Sequence, residues 1–180
     1  MPPLARNGRQ DVRYAVGTCS LGAVIVAAEG ERLCALWFGD APADLIASLR
    51  KRFPQARAAD DADMSRLLAR AVDLVERPHV EWREPLALAG TPFQLKVWTA
   101  MCEIPTGETA SYAEIARRIG RPTAARAVAA ACAANPIAIV VPCHRVIHSD
   151  GSISGYAAGV ERKRVLLQRE ALHRAARAAA

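Results

Sequence analysis

Pro142-Cys143-His144-Arg145-Val146 places a thiol, an imidazole and a guanidinium in consecutive positions at the end of an apolar run, Ile137-Ala138-Ile139-Val140-Val141. A base beside a thiol is the arrangement that lowers a cysteine pKa and produces a nucleophile. The run can be buried but its polar end cannot, so the segment reads as a β-prone strand that presents Cys143 at its tip. Neighbouring side chains on a strand point to opposite faces, so His144 can serve Cys143 only where the chain turns, or through a bridging water. Arg145 reads as structural. The other cysteines, Cys19, Cys34, Cys102 and Cys132, sit on apolar faces and read as inert small hydrophobes. Five cysteines with no CxxC pair and no close histidine except His144 give neither a disulfide framework nor a zinc-ligand spacing.

The elements that must position this segment lie on both sides of it. Thr91-Pro92 reads as an N-cap and first helical position, followed by Phe93, Val97, Trp98 and Met101 on one face, with Pro105-Thr106-Gly107 as the stop. Ser111 with Glu114 forms a capping box for a helix from Tyr112 to Ile119, ended at Gly120-Arg121-Pro122. Thr123 reads as the cap of another helix, Ala124 to Ala134, nearly all alanine around Arg126, Val128 and Cys132, and Asn135 before Pro136 reads as its C-cap. Two short helices joined by a Gly-containing turn fit an ordinary αα-hairpin and also a helix-turn-helix. The alanines favour the second, because a smooth face with one long side chain, Arg126, lies close to another surface while the arginine projects. That helix lacks Asn, Gln and further Arg for major-groove base edges, which suits minor-groove binding better.

Upstream, Val12–Val16, Leu21–Ala28 and Leu33–Phe38 are short apolar runs separated by Gly17, Gly22 and Glu29-Gly30-Glu31, the pattern of an antiparallel meander. Ala43–Phe53 and Asp63–Val75 carry apolar residues at helical spacing, stopped by Pro54 and Pro78, and a linker runs from Arg77 to Gly90. Two domains follow, 1–90 and 91–180. With 180 residues, 52% hydrophobic and 23% charged, the composition is globular and excludes a disordered or collagen-like chain. The net charge of +6 lies wholly in one half, since residues 1–95 hold 12 Lys+Arg and 12 Asp+Glu while 96–180 hold 12 and 6. An acidic partner for the second half is the implication. No signal-peptide pattern opens the chain, and the run Ala127–Cys143 is broken by Asn135-Pro136 and Pro142, so a soluble cytoplasmic protein without a membrane span is expected.

The ordered set Gly107-Glu108, Ser111-Tyr112, Arg126-Ala127-Val128, Asn135, Pro142–Val146, Gly155-Tyr156 and Leu166-Leu167-Gln168-Arg169-Glu170 resembles the O6-alkylguanine-DNA alkyltransferases, and more closely the alkyltransferase half of Ada-type proteins. The likeness runs from about Arg13 to Glu170. It implies an amino-terminal α/β domain with a small antiparallel sheet, ribonuclease H-like, followed by a mainly α, winged-helix-like domain with the helix-turn-helix. It also implies that Cys143 takes the alkyl group from O6-alkylguanine, and from O4-alkylthymine, in double-stranded DNA, once and irreversibly. In that reading His144 acts as base through water, Glu170 holds its other nitrogen, and Tyr112 donates to the departing base at N3. Arg126 fills the stack vacated by the flipped nucleotide, with Thr123, Ala125, Ala127, Ala129 and Tyr112 along the DNA. Asn135, Val146, Tyr156 and Ala157 line the pocket. Ala157 contributes its backbone N–H near O6, the carbonyls of Cys143 and Val146 read the guanine amino group, and the Ser149–Gly159 loop closes over the base. The resemblance implies no metal or other cofactor, a monomer, and a bacterial, nucleoid-associated location. Two rival readings of the same residues are a winged-helix DNA-binding regulator with Cys143 as redox sensor, and a cysteine hydrolase using Cys143 and His144.

Overall fold

The structure is a computed structural model that describes residues 11–153 and 155–179. It divides into two compact units, Met1–Glu76 with Glu81–Ala89, and Arg77–Val80 with Gly90–Ala180.

In the first unit, strands β1 (Val12–Cys19), β2 (Gly22–Glu29) and β3 (Arg32–Gly39) form the antiparallel meander, and a two-residue β4 (Arg57–Ala58) joins β1 in parallel, giving the order β3-β2-β1-β4. Central strand β2 is an unbroken buried run from Ala23 to Ala28, as expected of a strand covered on both faces. Helices α1 (Pro42–Arg52) and α2 (Ala62–Glu76) pack on the sheet through Leu45 and Leu49, and through Met64, Leu67, Ala71, Leu74 and Val75. Gly17, expected to punctuate, instead lies inside β1. A Cβ there would stand 3.0 Å from the Leu68 side chain, so the glycine serves helix–sheet packing and not a turn. The expected linker 77–90 is also partly structured. Leu33 N–H donates to Pro85 O at 2.9 Å and Ala87 N–H donates to Leu33 O at 2.8 Å, which covers the otherwise open edge of β3.

The second unit is built from helices. Helix α3 (Pro92–Cys102) starts with a full capping box between Thr91 and Gln94 and buries Val97, Trp98 and Met101. Two-residue strands β5 (Ala110–Ser111) and β6 (Val146–Ile147) pair in parallel, setting Ser111 opposite Ile147. Ser111 then caps α4 (Tyr112–Arg118): its hydroxyl accepts from Glu114 N–H, and the Glu114 carboxylate accepts from Ser111 N–H. The helix ends in a Schellman motif, with Gly120 at φ 71°, Gly120 N–H donating to Arg117 O and Arg121 N–H to Ala116 O. Helix α5 (Ala125–Ala133) follows, packs against α3 and α4, and accepts a 2.8 Å bond from Trp98 Nε1 at Ala131 O. The last helix is α6 (Val160–Ala178).

Two local expectations are corrected. Thr123 does not cap α5: the cap position is Ala124, which has no side-chain bond, because Ala124 N–H closes a turn onto Arg121 O one residue later than expected. The run Ile137–Val141 is not a strand but a tight turn, in which Val141 N–H donates to Ile137 O and Ile139 takes the left-handed conformation at φ 68°. β-branched residues disfavour that region, so burial of Ile137, Ile139 and Val141 together with the side-chain bonds of Asn135 outweighs local preference here.

Because the Ser111 cap fixes the direction in which Tyr112 leaves the β5–β6 pair, Ser111→Ala is expected to cost about 1 kcal/mol. Urea denaturation followed by circular dichroism checks this, and an unchanged midpoint would show that the cap carries no stability.

Candidate active site

Cys143, His144 and Arg145 form one turn of 3-10 helix, all three buried. The chain therefore does turn at Cys143, and Arg145 N–H closes the turn onto Pro142 O at 3.0 Å. On α6, Lys163, Leu166 and Glu170 share the buried face at i, i+3 and i+7. Glu170, with no exposed surface, receives His144 Nε2 at 2.7 Å, Arg145 Nε at 3.1 and 3.0 Å on its two oxygens, Arg145 Nη2 at 3.0 Å and the Gly107 N–H at 3.0 Å. Arg145 also donates to Ile104 O at 2.7 Å and to Thr106 Oγ1 at 3.2 Å. Gly107, at φ 78°, leaves no room for a side chain, since a Cβ would stand 3.0 Å from Arg174 Cβ and 3.1 Å from Glu170 O.

Electrostatics follow from this packing. Burial raises the Glu170 carboxyl, but the hydrogen bond and charge of His144, together with the bonds from Arg145 and Gly107, more than reverse it and leave its pKa at about 2. An ionised carboxylate only accepts, so Nε2 of His144 carries the proton it shares with Glu170. Burial holds the imidazole below its ordinary pKa despite Glu170, with Arg145 and Lys163 adding to the effect. Nδ1 is then a lone-pair acceptor, buried and without a hydrogen-bond partner among the described residues. For Cys143 the expected lowering of the thiol pKa is corrected: burial pushes it up, only partly offset by Asn135, Lys163, the backbone and Tyr156. At rest the site holds a neutral thiol beside a neutral imidazole.

Asn135 ties the end of α5 to Cys143. Its Nδ2 donates to Val141 O at 2.7 Å and to Cys143 Sγ at 3.2 Å, and its Oδ1 accepts from Ile137 N–H at 3.0 Å. It stands one residue past the cap position, Ala134. Tyr112 is buried beside this group, with its pKa pushed to about 12 by burial and by the nearby Cys132 and Cys143. Its hydroxyl lies 4.0 Å from where a Cβ on Gly155 would stand. Tyr156 lies against Cys143, and burial raises its hydroxyl well above the ordinary value. Val146 is buried and its carbonyl accepts from Lys163 Nζ, which also lies 6.0 Å from the centre of the Tyr112 ring. Lys163 went unnoticed in the sequence, although its spacing to Leu166 and Glu170 is the available sign that it shares their face.

Cys143, His144, Glu170, Tyr112, Asn135, Val146 and Tyr156 thus gather in one unit. The other expected residues lie elsewhere: Thr123, Arg126 and Ala127 are exposed on the α4–turn–α5 surface, Ala125 and Ala129 are half-buried there, and Ala157 is exposed in the loop before α6. Arg126 has no acidic partner among the described residues. None of the described His, Cys, Asp and Glu residues cluster as a metal site, and no described helix is long and apolar enough to cross a membrane.

One unit thus holds a buried cysteine, beside it in the chain a histidine paired with a carboxylate, and two short helices joined by a tight turn whose surface is exposed. The profile described as "6-O-methylguanine DNA methyltransferase, DNA binding domain" matches residues 92–172. The chain is 45% identical over 169 residues to the Escherichia coli bifunctional transcriptional activator/DNA repair enzyme Ada, covering 92% of this chain and 48% of that protein. It is 47% identical over 130 residues to the inducible methylated-DNA–protein-cysteine methyltransferase of Bacillus subtilis, covering 71% of this chain and 72% of that protein. A Mycobacterium tuberculosis O6-methylguanine methyltransferase crystal structure superposes with a TM-score of 0.73 at 37% identity, over 89% of this chain and 93% of that one. The same organism's protein in complex with DNA gives a TM-score of 0.75. The chain belongs to the O6-methylguanine-DNA methyltransferase family, whose mixed α/β fold with a small sheet and several helices it shares. It spans about half the length of the Ada-type relatives it matches.

Glu170 gives a signed pH dependence. Its carboxyl is depressed from 4.5 to about 2, so its contribution to stability is complete above about pH 4.5 and is lost as the pH falls through 2. His144, also depressed, adds a loss that begins below its ordinary 6.5. In thermal melts Glu170→Gln is expected to be less stable than the parent at pH 7, with the difference shrinking between pH 4.5 and 2. Two melting curves that stay parallel over that range would contradict the assignment.

Proposed function

We propose that the protein repairs O6-alkylguanine in double-stranded DNA, and O4-alkylthymine by the same chemistry, by taking the alkyl group onto Cys143. The observation that carries this is the buried row Cys143, His144, Glu170, with an acceptor nitrogen of His144 left unbonded. His144 Nδ1 accepts the thiol proton through a water. The thiolate attacks the alkyl carbon, the S–C bond forms as the C–O6 bond breaks, and the electron pair passes into the guanine ring. Tyr112, kept protonated at neutral pH by its burial, donates to N3 of the departing base. The product is a thioether, which water does not cleave, so each molecule reacts once.

The same reading gives roles to the surface residues. O6 is inaccessible in a stacked duplex, so the nucleotide must turn out of the helix. Arg126 on α5 fills its place from the minor groove, with Thr123, Ala125, Ala127 and Ala129 against the backbone. Asn135, Val146, Tyr156 and Ala157 surround the extruded base. The winged-helix description of the second unit and the ribonuclease H-like description of the first belong to this proposal. The latter is supported by a three-stranded antiparallel meander with a fourth strand parallel to β1. The first unit is read as scaffold, and the protein as a monomer acting in the bacterial cytoplasm at the nucleoid.

Intact-mass and peptide mass spectrometry after mixing with DNA containing O6-methylguanine is expected to find one methyl group on Cys143, with no reaction beyond one equivalent. An unmodified Cys143 would overturn the proposal, and repeated ester or amide turnover would favour a hydrolase. His144→Ala is expected to slow transfer by about 10²-fold or more. Arg126→Ala is expected to slow reaction with duplex DNA more than with free O6-benzylguanine, and equal losses would argue against a base-flipping role.

A further inference from the structure

The reaction above needs His144 as a neutral base with its lone pair on Nδ1, and a carboxylate alone does not secure that state. A buried carboxylate with imidazole as its only partner favours the doubly protonated ring, because the imidazolium then neutralises it. Here Glu170 has a second and stronger partner. Arg145 Nε and Nη2 span both carboxylate oxygens at 3.0 to 3.1 Å, and the Gly107 N–H occupies a further lone pair. The guanidinium is itself fixed at Ile104 O and Thr106 Oγ1, so the loop Ile104–Gly107 holds both the cation and the anion.

The geometry assigns Arg145 as a positioning residue for the transfer reaction: by taking the charge of Glu170 it keeps His144 as the neutral Nε2–H tautomer, with Nδ1 free to accept the Cys143 proton. This rests on the alkyltransferase reading. The charged and titratable groups facing the ring are Glu170 and Lys163 from α6, and Arg145 and Cys143 from its own turn. Three of the four are unchanged when Arg145 is replaced, so the change in His144 can be attributed. Without the guanidinium, the carboxylate charge falls to His144 alone and the ring gains a proton at higher pH. The acid limb of the transfer rate then moves upward.

The test uses the full chain, as parent, Arg145→Met and Arg145→Lys, with two readouts. Ring-nitrogen NMR of His144 across pH needs no substrate. The parent is expected to show one protonated nitrogen, Nε2, throughout the neutral range, and Arg145→Met to bring a second protonation into that range. In single-turnover transfer from O6-methylguanine DNA, Arg145→Met is expected to move the acid limb up by about one pH unit and to lower the rate at neutral pH by about tenfold. Arg145→Lys, which keeps the charge and loses the fork, is expected to fall between. If Arg145→Met does not fold, Arg145→Lys decides alone. Slower transfer with an unmoved pH profile and an unmoved His144 signature would reduce Arg145 to a structural residue and overturn the assignment. If the parent transfers no methyl group, the functional reading fails while the NMR signature still decides the role of Arg145.

Discussion

A carboxylate with no exposed surface is costly unless its lone pairs are filled, and the second unit is arranged around filling those of Glu170. Its donors come from two separate stretches, the loop after α3 and the 3-10 turn at Cys143, and Arg174 Nη1 on the next turn of α6 donates in turn to Gly107 O. Each stretch is thereby fixed relative to the others. The same approach explains Gly107, because its loop can lie against α6 only where no Cβ meets the Arg174 side chain and the Glu170 backbone carbonyl. The position of Cys143 thus depends on an ion that never meets solvent.

That ion also sets the charge of the pocket. Arg145 is a buried cation and Glu170 the buried anion, so with thiol and imidazole neutral the site carries one excess positive charge when Lys163, whose pKa burial lowers, holds its proton. Passing the proton from Cys143 to His144 leaves this total unchanged and only separates charge within the cluster. The thiolate so formed lies near Lys163 and receives the Asn135 Nδ2 bond at 3.2 Å. Burial can therefore hold the thiol pKa high at rest without preventing the thiolate from forming transiently, since the cations that stabilise it are already in place. A permanently ionised thiol would instead be open to oxidation and adventitious alkylation.

Much of this was legible in the sequence, and what was not has a common cause. The Ser111–Glu114 box and the helical start at Thr91-Pro92 are local signals, carried by side chains that bond within three residues of themselves, and the Gly120 stop is local too, set by a backbone conformation that glycine accepts. Cys143 and His144 stood out because their types are rare in sequence and reactive together. The turn at Ile137–Val141 was hidden because its apolar residues favour a strand, while Asn135 imposes the turn from outside the run. Gly17 was misread because its reason lies on α2, far along the chain. Lys163 escaped, and Arg145 reads from sequence only as structural, for a related reason. Cations are ordinarily solvated, and what makes these two internal lies far along the chain, Glu170 and the Ile104–Thr106 segment for Arg145 and the Val146 carbonyl for Lys163.

The same distinction refines what the basic half of the chain can do. Its excess of +6 counts Arg145 and Lys163, yet neither can meet a polyanion, since both are buried and already engaged. Arg164 and Arg174 are exposed but paired, with Glu161 and Glu108. Around the turn between α4 and α5 the balance differs: Arg117, Arg118, Arg121 and Arg126 are all exposed within ten residues, and Glu114, the one acid in the sequence from 109 to 149, is already engaged in its capping box. Attraction to phosphates depends on cations that can release counterions, so it is set by this local cluster and not by the net charge of the chain. Two populations of basic residue therefore coexist in one small unit, Arg145 and Lys163 engaged within the core and the α4–α5 arginines facing outward.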